Sequence, residues 1–144
     1  MRDYYQSLFD AIKAAFEQKE KTGNQQLPPG VSGVEYWHPR NWTEWFHILR
    51  EKVIVTIDGV PNKEHYQEAA KRSGLTLVDR AEALFEGGML EGEIGYNIKN
   101  RVNPVASVHY VPKMGTYHKV TIYHPNNIGL GAALLANYLT LERR

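Results

Sequence analysis

The chain contains no cysteine. Disulfides, thiolate nucleophiles and cysteine-based metal sites are therefore excluded, which fits a reducing compartment or one where cysteine is unused. Net charge is equally scarce. Seventeen Lys and Arg stand against 16 Asp and Glu, a formal balance of +1 at pH 7. A duplex-DNA binder that depends on phosphate neutralisation needs far more positive charge, and an acidic nucleic-acid mimic far more negative charge. No apolar run reaches the about 20 residues of a membrane-crossing helix. Met1-Arg2-Asp3 opens into a charged amphipathic stretch, without the apolar segment of a secretory signal. There is no internal repeat, no low-complexity tract, no HExxH or HxH pair and no GxSxG elbow.

What is present is enough for one sizeable core. Hydrophobic residues make up 42% of 144 positions, and one domain is the default at that length. The strongest patterning lies between Gly92 and Arg144. Glu93–Asn100 alternates, with Ile94, Tyr96 and Ile98 on one face and Glu93, Asn97 and Lys99 on the other. Period two with a clean apolar side predicts a half-buried antiparallel strand. Val105–Pro112 and Tyr117–His124 follow as two further strands, rich in Val, Ile and Tyr. Met114-Gly115 reads as a two-residue hairpin turn. That turn pairs His109 with Val120 and Tyr110 with Lys119. It places Val105, His109, Val111, His118, Val120, Ile122 and His124 on one face. Val108, Tyr110, Tyr117, Lys119, Thr121 and Tyr123 take the other, and a one-residue slip would exchange the two. Pro125 ends the last strand, and Asn126 or Asn127 caps a helix over Ile128–Leu141. That helix is apolar on nearly every side, so it is buried on most sides or forms a subunit interface.

Upstream, Asp3–Thr22 predicts an amphipathic helix with Tyr4, Leu8, Ile12 and Phe16 on its stripe. Residues 1–23 read as a helical arm, residues 24–33 as a Pro/Gly linker and residues 34–144 as a single α+β domain. Val34–Arg40 is extended, and Asn41 with Glu44 caps a helix carrying Trp42, Trp45 and Phe46. Lys52–Ile57 predicts a strand and Asn62–Ser73 a helix. Thr76 and Asp79 form a capping box for a further helix with Leu77, Val78, Ala81, Leu84 and Phe85 on its stripe. The expected fold is a small, mainly antiparallel sheet packed with about five helices. Its strands are a three-stranded C-terminal meander and one short strand.

Three constellations bear on chemistry. No metal site is expected, because none of the six histidines stands in a paired spacing and His118 and His124 lie about 20 Å apart along one strand. A small metal-independent ribonuclease needs a base, an acid and a cation for the phosphorane. His109, His118 and Lys119 are the candidates, although His118 and Lys119 point to opposite faces. The aromatic residues Trp37, Trp42, Trp45, Tyr110, Tyr117 and Tyr123 fit a protein interface, where Trp and Tyr dominate the binding energy. The Tyr110, Tyr117, Lys119, Thr121, Tyr123 surface would also suit stacked bases. Near-neutral charge favours protein over nucleic acid.

The segment His124-Pro125-Asn126-Asn127-Ile128-Gly129-Leu130-Gly131-Ala132-Ala133-Leu134-Leu135 resembles the phosphate-binding turn of GNAT-type acetyltransferases. In that family a strand ends, a (Q/R)xxGx(G/A) loop opens a helix, and backbone N–H groups hold the pyrophosphate of acetyl-CoA. The resemblance implies an acyl-CoA-dependent transferase with Asn126, Gly129 and Gly131 at the cofactor, Asn126 standing where Gln or Arg is usual. Independently of it, two glycines let an apolar helix pack closely on a sheet. Taken together, the sequence predicts a non-catalytic assembly or binding protein without a cofactor, acting through protein contacts as a homo-oligomer or larger assembly. A structural component of a virus or mobile element, cytoplasmic or in the virion, fits that expectation. The enzyme readings stand as the alternative.

Overall fold

A computed structural model describes residues 2–18, 27–37, 51–83 and 92–143. Its β-competent runs join one six-stranded sheet: β1 Val31–Tyr36, β2 Lys52–Asp58, β3 Thr76–Asp79, β4 Ile94–Asn100, β5 Asn103–Tyr110 and β6 Tyr117–Tyr123. The spatial order is β1-β2-β6-β5-β4-β3, and every pairing is antiparallel. Three helices accompany it among the described residues, α1 Arg2–Gln18, α2 Lys63–Arg72 and α3 Ile128–Glu142, with a single helical turn at Arg80–Ala83.

The sheet is thus wider than the expected meander plus one strand, and the helices are fewer than about five. Two added strands, β3 and β1, make the difference in the sheet. Thr76–Asp79, read as a helix start, is an edge strand with Leu77 opposite Ile98 and Asp79 opposite Tyr96. The β-competence of Leu77-Val78 and the free edge of β4 override the capping pattern. Asp79 still accepts the N–H of Ala81 through Oδ1, so the box caps one turn rather than a helix. At the other side β2 pairs with β6 from Lys52–Tyr123 to Asp58–Tyr117, and β1 pairs with β2 outside it. β1 begins at Val31, inside the stretch assigned to the linker. The helix expected from Asn41 and the Leu84–Phe85 end of the stripe lie outside the described residues.

The hairpin register is the second correction. Val108 lies opposite Val120 and His109 opposite Lys119, one residue away from the register set by a two-residue turn. Pro112–Met114 forms a 3-10 turn closed by Gly115, which donates its N–H to the carbonyl of Pro112 and sits at φ +102°. The longer loop exchanges the faces of β5. Val108 joins Val120 in the core and His109 joins Lys119 on the opposite side. Tyr110, opposite Ile94, goes to the core side as well.

The described helices pack on one face of the sheet only. That face carries Val34, Val53, Val55, Ile57, Val120, Ile122, Val108 and Ile98, all buried. α3 lies between α1 and α2 and contacts the sheet. Its all-round apolar character is therefore satisfied within one chain. Gly131 faces Ile122, where a Cβ would stand 2.7 Å from Cδ1. Of its polar residues, Asn137 donates from Nδ2 to Ser73 Oγ at 3.2 Å and Thr140 donates to the Ala136 carbonyl of its own helix. Tyr138 stacks on Tyr66 of α2 with ring centroids 3.6 Å apart.

Leu135 is fully buried. Leu135→Ala should destabilise the protein by about 2–5 kcal/mol in urea unfolding. A loss well below 2 kcal/mol would show that α3 is not packed as described.

Candidate functional site

The two faces of β6 divide the chemistry of the molecule. On the core face His118 is fully buried, opposite Ile57. Its Nδ1 lies 2.7 Å from the Gly59 carbonyl, so Nδ1 carries the hydrogen. Nε2 is then the acceptor for the Tyr66 hydroxyl at 2.5 Å. The rings of Tyr66 and Tyr138 both meet the imidazole edge to face. Burial pushes the His118 pKa below its ordinary value, while the Gly59 carbonyl, Glu142 and Asp58 pull it back up. Burial likewise raises Tyr66 and Tyr138 well above the usual phenol range. Both nitrogens of His118 are satisfied and sealed from solvent. The group holds strands and α2 together and offers no acid or base to a substrate.

Among the described residues no helix lies on the opposite face, called the open face below. Alternate residues of each strand reach it: Lys52, Ile54 and Thr56 from β2, Tyr117, Lys119, Thr121 and Tyr123 from β6, Ser107 and His109 from β5, Asn97 and Lys99 from β4. All are half-buried. Trp37 follows β1 and is tied to Lys52 by a backbone hydrogen bond of 3.0 Å. The Lys52 ammonium sits 5.1 Å from the Trp37 ring centroid and 5.9 Å from that of Tyr123, within cation–π range of both. Tyr123 leans across β5, its hydroxyl 3.0 Å from Ser107 Oγ. Beside this row lies a hollow of about 400 Å³ lined by Lys52, Asn97, Lys99, Tyr123 and His124. A second hollow of about 360 Å³ adjoins it through His124, with Asn100, Asn103, Asn126 and Asn127 around it.

The sequence candidates distribute as follows. Trp37, Tyr117 and Tyr123 share the open face, Tyr123 at one end of β6 opposite Lys52 and Tyr117 at the other end opposite Asp58. Tyr110 does not join them, and Trp42 and Trp45 lie outside the described residues. His109 and Lys119 are neighbours on the open face, with His109 Nε2 2.7 Å from Glu93. His118 is on the other side of the sheet, so the three do not form one site. The remaining described histidines are also engaged. His65 pairs with Glu142, and His124 accepts the Asn126 N–H through Nδ1. Among the described residues no group of three His, Asp or Glu is placed to hold a metal, and no helix is long and apolar enough to cross a membrane.

Asn126, Gly129 and Gly131 lie at the entry to α3. Pro125–Asn127 is a 3-10 turn, and Asn127 occupies the cap position without a side-chain cap bond. Its amide instead donates to the carbonyl of Tyr123 at 2.5 Å. Gly131 points into the sheet at Ile122, whereas Gly129 stands 3.6 Å from the Tyr5 hydroxyl in ordinary contact. The sequence reasoning missed Lys52 and Lys99. Both follow a simple alternation, but only the non-local pairing of β2 with β6 and the β4 register set them around Tyr123.

Gly131→Ala should cost about 1–3 kcal/mol through overpacking against Ile122, despite the better helix propensity of Ala. Gly129→Ala in the same urea titration should cost nothing. Equal effects would show that neither glycine is there for close packing. Acidification gives a second test. His118 has its folded pKa below the unfolded value of 6.5. Below pH 6.5 the unfolded chain binds a proton that the folded chain refuses, so this contribution is complete above pH 6.5 and is lost as pH falls toward the folded value. His118→Gln keeps a donor and an acceptor and should flatten that slope, read by urea midpoints at several pH values. An unaltered slope would clear His118 of the effect.

In comparisons with protein-family models, curated proteins and solved structures, none matches the chain.

Proposed function

We propose that the protein acts by binding rather than catalysis, and that the open sheet face is its working surface. The observation that carries the reading is the row Trp37, Lys52, Tyr123, in which two rings flank an ammonium at 5.1 and 5.9 Å beside a polar hollow of about 400 Å³. Aromatic and cationic side chains held on strands form a pre-organised contact surface, since two rigid rings lose little entropy on binding. The expected catalytic trio is not assembled: His118 is buried on the core side, away from His109 and Lys119, and His109 is bonded to Glu93. The buried α3 also removes the ground for expecting a subunit interface from its apolar surface.

The test is retention on immobilised acidic peptides and single-stranded oligonucleotides, run beside assays for RNA cleavage and acetyl-CoA turnover. Wild type should be retained by one ligand class without turnover. Lys52→Ala with Tyr123→Ala should keep the melting temperature within a few degrees, about 1 kcal/mol, and lose retention. Turnover by wild type, no retention at all, or undiminished retention of the double variant overturns the reading.

A further inference from the structure

We infer that the partner of the open face is single-stranded nucleic acid, with phosphates at Lys52, Lys99 and Lys119 and a base stacked on Tyr123. The inference rests on the open face being the working surface and adds the chemistry of what it takes.

The geometry comes from register. Lys52 on β2 and Lys99 on β4 lie on either side of Tyr123, three strand spacings apart, which is roughly 14 Å at about 4.8 Å per strand. Lys119 is four residues along β6 from Tyr123, roughly 13 Å. The three lysines mark a triangle about 15 Å on a side. Thr121 stands inside it, Tyr123 and Ser107 on its edges and Asn97 just beyond, a ring to stack on and three short polar groups able to bond base edges. Ser107 lies opposite both Thr121 and Asn97, so these groups form one continuous row.

Charge complementarity selects the occupant. Among the described residues no carboxylate forms an ion pair with any of the three lysines. The acidic groups of the face lie off the triangle: Glu93 is bonded to His109, Glu35 is on β1, and Asp58 is at the far end of β2. The cationic side extends further, because the stem of Arg80 lies over Gly95, where a Cβ would meet its Cδ at 3.0 Å. Three separated ammonium groups with no carboxylate partner among the described residues fit a chain of regularly spaced anions. Rings between them fit a chain whose spacers are aromatic. Single-stranded nucleic acid alternates phosphate and base in this way, and sheet platforms bind it by stacking plus backbone charge. A duplex hides its base faces and would leave Tyr123 idle. At the rim of the triangle His124 is held at φ +68°, unusual for a residue with a Cβ. There it adjoins the Asn-lined hollow, which could receive the next nucleotide.

Fluorescence anisotropy with labelled oligothymidylate and oligouridylate of about a dozen nucleotides tests this. Wild type should bind, with a log–log salt slope of about −2 for three phosphate contacts on a single strand. Lys52→Gln, Lys99→Gln and Lys119→Gln should each make the slope shallower by about 0.7. Tyr123→Leu should weaken binding roughly tenfold with an unchanged slope. Lys71→Gln, on the helix side, should change neither. Melting curves check that each variant folds. If oligonucleotides are inert while an acidic peptide binds and is lost with the same lysines, nucleic acid is overturned and the open face stands. If oligonucleotides bind equally to all variants, the site is elsewhere and both readings fall. Equal affinity for duplex and single strand would overturn the stacking role of Tyr123.

Discussion

The burial of α3 is the constraint from which the architecture follows. Fifteen residues with buried side chains on almost every side cannot lie on a surface. They must be enclosed, and α1, α2 and the core face of the sheet enclose them. Enclosure brings the helix backbone against the sheet at Gly131, where Ile122 leaves no room for a side chain. It brings α2 close enough for Tyr66 to stack on Tyr138. Both flanking helices are recruited to the same side, so among the described residues the other side of the sheet is formed mainly by the alternate residues of the strands.

The polar cluster under α3 is a consequence of the same enclosure. β6 carries His118 into the core at a position where its neighbours on that face, Val120 and Ile122, are aliphatic. A buried imidazole is tolerable only with both nitrogens bonded. Tyr66 from α2 and the Gly59 carbonyl after β2 supply those bonds. One residue thereby ties together a central strand, the turn beside it and a helix. The next residue, Lys119, points the opposite way and meets an entirely different environment. Period two along a single strand separates the group that stabilises the fold from the group on the opposite face.

Much of this was legible in local pattern. The alternation of Glu93–Asn100, the β-branched run at Lys52–Ile57 and the all-round apolar stretch after Asn127 each became the element expected. What failed was non-local. Thr76-Leu77-Val78-Asp79 satisfies a helix cap by its residue types, yet the free edge of β4 captures it as a strand. The turn after β5 offered a two-residue reading at Met114-Gly115, but Pro112 begins a 3-10 turn and lengthens the loop by enough to move the register one step. That step decided the site. With the shorter turn, His109 shares a face with His118, and a two-histidine ribonuclease is conceivable. With the longer one, His109 faces Lys119 across the open side, and Tyr110 leaves it. Trp37 and Tyr123 were recognisable as interface-type residues. Their meeting around Lys52 was not, because it depends on β2 lying beside β6, more than 60 positions away.

A net charge of +1 argues against nucleic acid only if charge is spread evenly, and here it is not. The term that governs affinity for a phosphate chain is the number of cations that reach phosphates, not the sum over the molecule. Arg72 is engaged with Glu68, Lys63 with Asp79 and His65 with Glu142 on the helical side, and these pairs contribute nothing to an anion on the sheet. Lys52, Lys99 and Lys119 are on strands, separated by the sheet's own spacing and free of carboxylates among the described residues. Composition therefore sets a low limit on long-range attraction and a much weaker limit on contact binding. A face with three phosphate contacts and a stacking ring implies modest, salt-sensitive affinity, with the aromatic ring rather than the charge supplying the discrimination between single strand and duplex.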